Sequence, residues 1–319
     1  MMGVDTGGPM IKLLGYGVLG AAAAIVLAAP AQAATPGHRI AYVRAGSVYV
    51  LSGTVETRLT GDSDDTRPRW SPDGQRIAYG HAGRLWVMNA DGTGRQALAT
   101  GTAGGAGWSP DGRWLAFEAR GCTGLDGVFE VPATGGTPQA LFPLECRGKP
   151  VPAATARPRS AGDLATRMRA DGAVAWSPDG TRIAFRGGQC LGIFDDCLTV
   201  GTVATGDEQL VDAYGGGGQV YSGFAVVPAW SPDGQRLSWT AEQQGDSRAT
   251  TQPIHVVEAA PTGAGRRTVG VALDREMTYA GPGTGVLTGS YHGGSWIISV
   301  DLATGARTPL RPGSQPSVA

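Results

Sequence analysis

Residue types that carry acid, base and nucleophilic chemistry are present in this sequence, but their spacing does not predict a catalytic site. The sequence has four histidines, His38, His81, His255 and His292, and no two of them form an H-x-x-x-H pair. Ser290 lies one position too early for the G-x-S-x-G turn that presents a nucleophilic serine. A phosphate-binding P-loop is also missing. We therefore predict no catalytic residue.

Two segments resemble cofactor or metal motifs, and their contexts argue against both functions. Residues 15–20 match G-x-G-x-x-G, which binds a dinucleotide only between a strand and a helix, whereas here it lies in an apolar N-terminal run. Residues 62–65 are acidic but lack the spacing of a Ca²⁺ loop, so a solvated turn is the simpler interpretation. We expect neither a cofactor nor a metal ion.

The remaining candidate carboxylates belong to an internal repeat, Trp-Ser-Pro-Asp-Gly, which occurs four times before an alternating strand. Proline presets φ, aspartate bonds its own backbone and glycine accepts the left-handed conformation, so each copy predicts a tight turn. We assign the tryptophans to packing between neighbouring repeats, with ligand stacking as the alternative. The residues given this structural role are Trp70, Asp73, Gly74, Trp108, Asp111, Gly112, Trp176, Asp179, Gly180, Trp230, Asp233 and Gly234.

A second turn marker, a small or acidic residue followed by glycine, occurs once in each of six units, from Ser52-Gly53 to Thr304-Gly305. Two turns per unit predict four antiparallel strands in each. The first unit starts at Pro36 without an incoming strand, and residues 315–319 have the register of that missing strand. The sequence therefore predicts an all-β, six-bladed β-propeller over residues 34–319, closed by pairing of its C-terminal and N-terminal strands.

The pattern W-S-P-D-G-x-R-[IL]-A resembles the PD40, or WD40-like, repeats of the TolB-like propeller family over residues 36–319. The resemblance implies a periplasmic binding role beside a lipoprotein partner. It also implies a smaller α/β domain before the propeller. We expect that domain to be absent here, which puts a Tol-Pal role in doubt.

Four cysteines in an exported chain predict two disulfides, for which three pairings exist. Cys190 and Cys197 flank one inter-strand connection, while Cys122 and Cys146 flank the outer half of another unit. We favour these two pairs. A four-cysteine metal site would require C-x-x-C pairs, which are missing.

A Pro- and Ala-rich insertion interrupts the repeat at about residues 143–172 and is locally basic. A solvated loop is the simpler interpretation, and a partner-contacting arm is the functional one. The candidate partner-binding residues are Arg147, Lys149, Arg157, Arg159, Arg167 and Arg169.

The N-terminus has the pattern of an export signal: Lys12, an apolar run over residues 13–29, and Ala31-Gln32-Ala33. We predict a signal peptide at residues 1–33 with cleavage after Ala33, a retained anchor being the alternative. The formal net charge of −1 gives no electrostatic footprint for nucleic acid or for an anionic membrane.

Two classes of function remain open from the sequence. The favoured one is a secreted or cell-envelope binding propeller, monomeric and without a membrane span after cleavage, that engages a protein, peptide or glycan through one rim and the channel mouth. The alternative is a secreted hydrolase or lyase acting on sugars or lactones. A plugged channel without convergent histidines and carboxylates would favour binding.

Overall fold

The computed structural model describes residues 38–61, 64–100, 102–150, 162–216 and 221–319. In these ranges the chain forms six four-stranded antiparallel sheets, which confirms the predicted six-bladed propeller. It also contains two 3-10 turns (Leu144–Cys146 and Gln189–Gly192) and one helix, α1 (Leu164–Arg169). No helix of the described ranges is long and apolar enough to cross a membrane. The predicted signal peptide lies outside the described residues.

The strands follow one another along the chain with short connections in most blades. The first eleven are β1 (Arg39–Arg44), β2 (Ser47–Ser52), β3 (Val55–Arg58), β4 (Asp65–Trp70), β5 (Arg76–His81), β6 (Arg84–Asn89), β7 (Gln96–Thr100), β8 (Ala103–Trp108), β9 (Trp114–Arg120), β10 (Asp126–Pro132) and β11 (Gln139–Phe142). The others are β12 (Ala175–Trp176), β13 (Arg182–Arg186), β14 (Asp196–Thr202), β15 (Glu208–Tyr214), β16 (Ser222–Trp230), β17 (Leu237–Gln244), β18 (Gln252–Ala259), β19 (Arg267–Val269), β20 (Arg275–Tyr279), β21 (Thr284–Tyr291), β22 (Gly294–Asp301), β23 (Arg307–Pro312) and β24 (Ser314–Val318).

Each blade is a meander whose first strand lies nearest the axis, where it contacts the first strands of the adjacent blades. Blade 1 contains β24, β1, β2 and β3 in that order. Blades 2 to 6 contain β4–β7, β8–β11, β12–β15, β16–β19 and β20–β23.

Hydrophobic cores fill the spaces between neighbouring blades. Ile77 and Tyr79 on β5 pack with Val48 of blade 1, while Ala78 between them packs with Phe117 of blade 3. Successive side chains of a strand point to opposite faces. A blade covered on both sides therefore needs apolar residues at nearly every position, as in Ile77-Ala78-Tyr79.

The repeated turns are stabilised by the same hydrogen bonds in all four copies. In the first copy, Ser71 Oγ donates to Asp73 Oδ1 at 2.6 Å and the Gln75 amide donates to the same oxygen at 3.0 Å. Gly74 has a φ of +65°, which explains why glycine closes the turn. The four aspartates thus serve their own turns in this structure.

Three of the four repeated tryptophans, Trp70, Trp108 and Trp230, contact an arginine of the preceding blade. The guanidinium of Arg76 lies 4.8 Å from the ring centroid of Trp108, and that of Arg182 lies 4.6 Å from Trp230. Arg76 Nη2 also donates to the Gly112 carbonyl at 3.0 Å, which ties it to the next turn. The arginine of the W-S-P-D-G-x-R pattern therefore makes a contact between neighbouring blades. We had not assigned it this role from the sequence.

Ring closure has the predicted form. β24 pairs with β1 through Ile40 and Val318, and the Ala319 amide donates to the Arg39 carbonyl at 2.9 Å. The Trp70 amide of blade 2 donates to Ser317 Oγ at 3.1 Å, so the last strand also contacts the following blade.

Truncation before residue 314 should destabilise the fold by at least about 3 kcal/mol, because it exposes the edge of β1 and opens the cores on both sides of blade 1. Chemical unfolding of the purified protein measures the loss. Removal of Ala319 alone is the control and should cost far less. An unchanged unfolding midpoint for the longer truncation would contradict closure by β24.

Asp179→Asn should lower the melting temperature at pH 7 by a few degrees. Hydrogen bonds from Ser177 Oγ and from the Thr181 amide lower the pKa of Asp179 to about 2. Because folding lowers this pKa, the hydrogen bonds stabilise the folded protein fully above about pH 4, the pKa of the group in the unfolded chain. The stabilisation is lost as the pH falls through the pKa of the folded state. Melting curves of wild type and variant should therefore converge between pH 4 and pH 2, and a constant difference would contradict this assignment.

Candidate functional site

The two ends of the propeller differ in their connections. The turn face, as we call it, carries the turns between the first and second and between the third and fourth strands of each blade. The mouth face carries the connections between the second and third strands and those between blades. The longest departures from the repeat all belong to the mouth-face connections: residues 143–172, 187–195 and 245–251.

The mouth face is itself uneven around the ring. Blades 6, 1 and 2 have two-residue turns there, His292-Gly293, Ala45-Gly46 and Ala82-Gly83, all with positive φ at both residues. Such turns match the twist of a hairpin and keep it short. Blades 3, 4 and 5 have the longer connections, so one half of the rim is low and the other half is built up.

A cavity of about 1070 Å³ opens on the mouth face and extends to the axis. The turns at residues 45–46 and 82–83 line its low side, and α1 with Ala170 and Asp171 lines its built-up side. Charges of both signs face it; they are Arg44, Asp64, Asp65, Arg67, Glu118, Asp126, Arg167, Asp171, Arg186, Arg275 and Glu276.

The floor of the cavity is an ion-paired cluster centred on Arg67. This side chain is only 2% exposed. Its Nε donates to Asp171 Oδ2 at 2.7 Å, its Nη2 also contacts that oxygen, and its Nη1 lies 2.9 Å from Glu276 Oε1. Burial opposes the charge of the guanidinium, but the two carboxylates outweigh it and raise the pKa of Arg67.

Backbone bulges on the innermost strands aim these side chains at the axis. Arg67, Glu276 and Gln315 have φ values of +49°, +58° and +61° at irregularities of β4, β20 and β24. They occupy the same register, three residues before the end of the repeat's first strand. The Arg67 amide donates to Gln315 Oε1 at 2.8 Å, which links two of the three bulges.

Two glycines of blade 3 leave space for this cluster. A Cβ on Gly105 would lie 2.9 Å from Arg67 Cβ, and one on Gly104 would lie 2.5 Å from Asp171 Oδ1. Gly104 also has a φ of +84°. Larger residues at these positions would push Arg67 and Asp171 apart.

A second arginine of the same strand lies deeper along the axis. Arg69 Nη1 donates to the carbonyls of Pro68 and Pro316 at 3.0 and 3.3 Å. The other blades have small residues in this register: Gly107, Ala175, Ala229, Thr278 and Ser317. Burial, together with the charge of Arg67, lowers the pKa of Arg69 to about 10. The two arginines of β4 therefore plug the channel at successive levels.

The end of the insertion covers the built-up side of the cavity. Asp163 caps α1 by accepting the Thr166 amide at 2.8 Å, and Met168 is buried against Phe224 and Val227 of blade 5. The chain then turns at Asp171, whose Oδ1 accepts the Ala173 amide at 3.1 Å. This anchoring holds the Asp171 carboxylate over the axis.

The structure separates the candidate basic residues of the insertion. Arg147 donates to the Val203 and Ala204 carbonyls of blade 4 at 2.7 and 3.2 Å, and Lys149 Nζ lies 3.8 Å from Cys122 Sγ. Arg167 lines the cavity, whereas Arg169 lies over the Phe224 ring. Arg157 and Arg159 lie outside the described residues. The described four therefore do not form one basic patch.

Both predicted disulfides are present. Cys122 pairs with Cys146 and Cys190 pairs with Cys197. The first ties the mouth-face connection of blade 3 to the start of the insertion, and the second ties the ends of the long connection in blade 4. Disulfides persist in oxidising compartments, so the pair indicates one for this chain.

The other titratable groups near the mouth are held by partners within the propeller. Arg186 Nε donates to Asp196 Oδ2 at 2.7 Å, while burial keeps the pKa of Asp196 raised. His81 Nδ1 lies 2.9 Å from the buried Asp65. None of the histidines belongs to the cavity lining, and the part of the chain that the structure describes contains no group of three metal-ligating side chains.

Sequence reasoning missed the cluster of Arg67, Asp171 and Glu276. The available signal was the Gly104-Gly105 pair, which replaces the side chains found at this level in the other blades and so indicates a close approach.

The fold and the site define a six-bladed propeller with a plugged axis and a cavity on one face. No family model and no curated protein matches the sequence. Among solved structures, TolB from Acinetobacter baumannii is similar with a TM-score of 0.62 and 15% identity, covering 88% of this chain and 66% of that one. This chain thus spans just under two thirds of that protein.

Two further structures are similar at the level of the fold. A putative TolB from Agrobacterium tumefaciens has a TM-score of 0.56 and 20% identity over 87% of this chain and 90% of that one. Kuenenia stuttgartiensis hydrazine synthase has a TM-score of 0.56 and 10% identity over 90% of this chain and 47% of that one. At these identities the likeness shows the fold alone.

Arg67→Met should destabilise the protein by about 3–5 kcal/mol at pH 7, because it leaves two carboxylates buried without their cation. Adding Asp171→Asn and Glu276→Gln should recover much of this loss. Urea unfolding measures both effects, with Arg113→Met, an exposed arginine of a repeated turn, as the control. If the triple variant recovers nothing, packing rather than charge accounts for the loss.

Proposed function

We propose that this chain is an exported binding propeller that holds a ligand in the cavity of its mouth face and catalyses no reaction on it. The observation that carries the proposal is the contrast between the two faces. The turn face carries the four hydrogen-bonded Trp-Ser-Pro-Asp-Gly turns, whereas the mouth face carries the insertion, both disulfide-tied connections and the cavity. Loops on a rigid scaffold carry function more often than the scaffold itself.

The cavity suits part of a large polar ligand. Its volume of about 1070 Å³ lies just above the ~300–1,000 Å³ that small-molecule sites occupy. The low rim of blades 6, 1 and 2 leaves one side open, so an extended ligand can enter over it. A protein segment, a peptide or a glycan fits this description.

The charged groups of the cavity support binding rather than catalysis. A general acid or base must reach the substrate with a proton to give or accept. Arg67, Asp171 and Glu276 instead satisfy one another, and Arg186 is paired with Asp196. We further propose a secreted or cell-envelope location, which the two disulfides support.

Ala170→Trp should weaken ligand retention by roughly tenfold or more, since an indole at this exposed position fills the mouth. The measurement is affinity capture from the organism's own culture and envelope fractions, quantified by mass spectrometry. Ala303→Trp, exposed on the turn face, is the matched control and should retain ligand as wild type does.

Equal capture by wild type and by the Ala170→Trp variant would place the ligand elsewhere and contradict the proposal. So would turnover of a sugar or lactone panel by the purified protein, because the cavity would then be an active site.

A further inference from the structure

The two carboxylates that pair with Arg67 are held in different ways. Glu276 belongs to a blade and is fixed on several sides. Its Oε2 accepts from Thr288 Oγ1 at 2.6 Å and from the Gln315 amide at 3.0 Å, and its own amide donates to Thr240 Oγ1 at 2.8 Å. The side-chain contacts hold the Glu276 carboxylate between blade 6 and the closing strand β24 of blade 1.

Asp171 belongs to the insertion, and no strand carries it. Apart from Arg67, its carboxylate accepts one hydrogen bond, from the Ala173 amide two residues later. Its side chain is 11% exposed, whereas that of Arg67 is 2% exposed. It also lies at the boundary between the cavity and the axis, where a molecule in the cavity meets it first.

We propose that Arg67 is the receptor for a carboxylate of the ligand, and that Asp171 occupies this receptor until the ligand replaces it. The inference rests on the proposed function and specifies the chemistry that the cavity recognises. The exchange is a substitution of like for like, because a buried guanidinium requires an anionic partner in both states. The planar fork of arginine suits any carboxylate that approaches along the cavity.

The identity of the internal occupant indicates the class of ligand. The site already accommodates an aspartate on a polypeptide turn, with Gly104 and Gly105 leaving the space for it. We therefore assign the incoming carboxylate to an aspartate of an acidic peptide segment. The withdrawn insertion would move with α1, whose contact with blade 5 consists of apolar side chains such as Met168 on Phe224.

The test removes the Asp171 carboxylate from Arg67 and then adds small carboxylates that can bind in its place. Thermal unfolding of Asp171→Ala is followed with increasing sodium acetate or acetyl-Ala-Asp-Ala-amide, against sodium chloride of equal ionic strength and acetyl-Ala-Asn-Ala-amide. We expect the melting temperature to rise to a plateau with sodium acetate and with acetyl-Ala-Asp-Ala-amide. It should not rise in this way with sodium chloride or acetyl-Ala-Asn-Ala-amide. The double variant Arg67→Met/Asp171→Ala should show no such rise.

Equal responses of Asp171→Ala to acetate and chloride would overturn the proposal, as would an undiminished response of the double variant. A stronger effect of trigalacturonate than of the aspartyl peptide would overturn the assignment to a polypeptide. If Asp171→Ala does not fold, the isosteric Asp171→Asn is refolded with and without acetate, and an equal yield in both counts against the proposal.

The capture experiment separates this inference from the proposed function. Asp171→Asn removes the competitor and should raise retention of the captured material by roughly tenfold. If Ala170→Trp blocks capture while Asp171→Asn leaves retention unchanged, the receptor inference fails and the binding function stands. If Ala170→Trp has no effect on capture, the proposed function itself fails.

Discussion

The structure depends on ring closure by strands from the two ends of the described chain. Among the described residues, six hydrophobic clusters lie between neighbouring blades and a seventh packs α1 on blade 5, so no blade can bury its apolar faces until its neighbours are in place. Pairing of β24 with β1 supplies the last neighbour and leaves no open edge at the seam. Closure also fixes the innermost strands around one axis, where Arg67, Glu276 and Gln315 meet.

The two faces of the closed ring have different roles. Tryptophan–arginine contacts join blades 1 and 2, 2 and 3, and 4 and 5 at the turn face, and serine and aspartate side chains hold the turns of blades 2 to 5. These repeated contacts stabilise the blades themselves. The mouth face has no such requirement, and the insertion and disulfide-tied connections are found there. A surface that the fold leaves free is the one available for recognition.

The sequence predicted what is local and periodic. The turns, the strand alternation, the missing first strand and both disulfide pairs involve residues close together or related by the repeat. The cluster on the axis could not be found in this way, because Arg67 and Asp171 are 104 positions apart and belong to different kinds of segment. The arginine of each repeat was missed for a related reason, since its partner is the tryptophan of the next blade. Expectations for Arg157, Arg159 and the signal peptide remain predictions.

The charge on the axis calls for an explanation beyond stability. A buried ion-paired cluster can usually be replaced by apolar side chains of similar volume without loss, and sometimes with a gain. Blade 5 fills the same two registers with Val227 and Ala229, and its innermost strand is formed equally well. A channel closed only for packing would need no arginine at either level. An arginine paired with one carboxylate of a blade and one of the insertion is instead suited to the exchange of partners that we propose, and the cavity above it gives another anion a route to it.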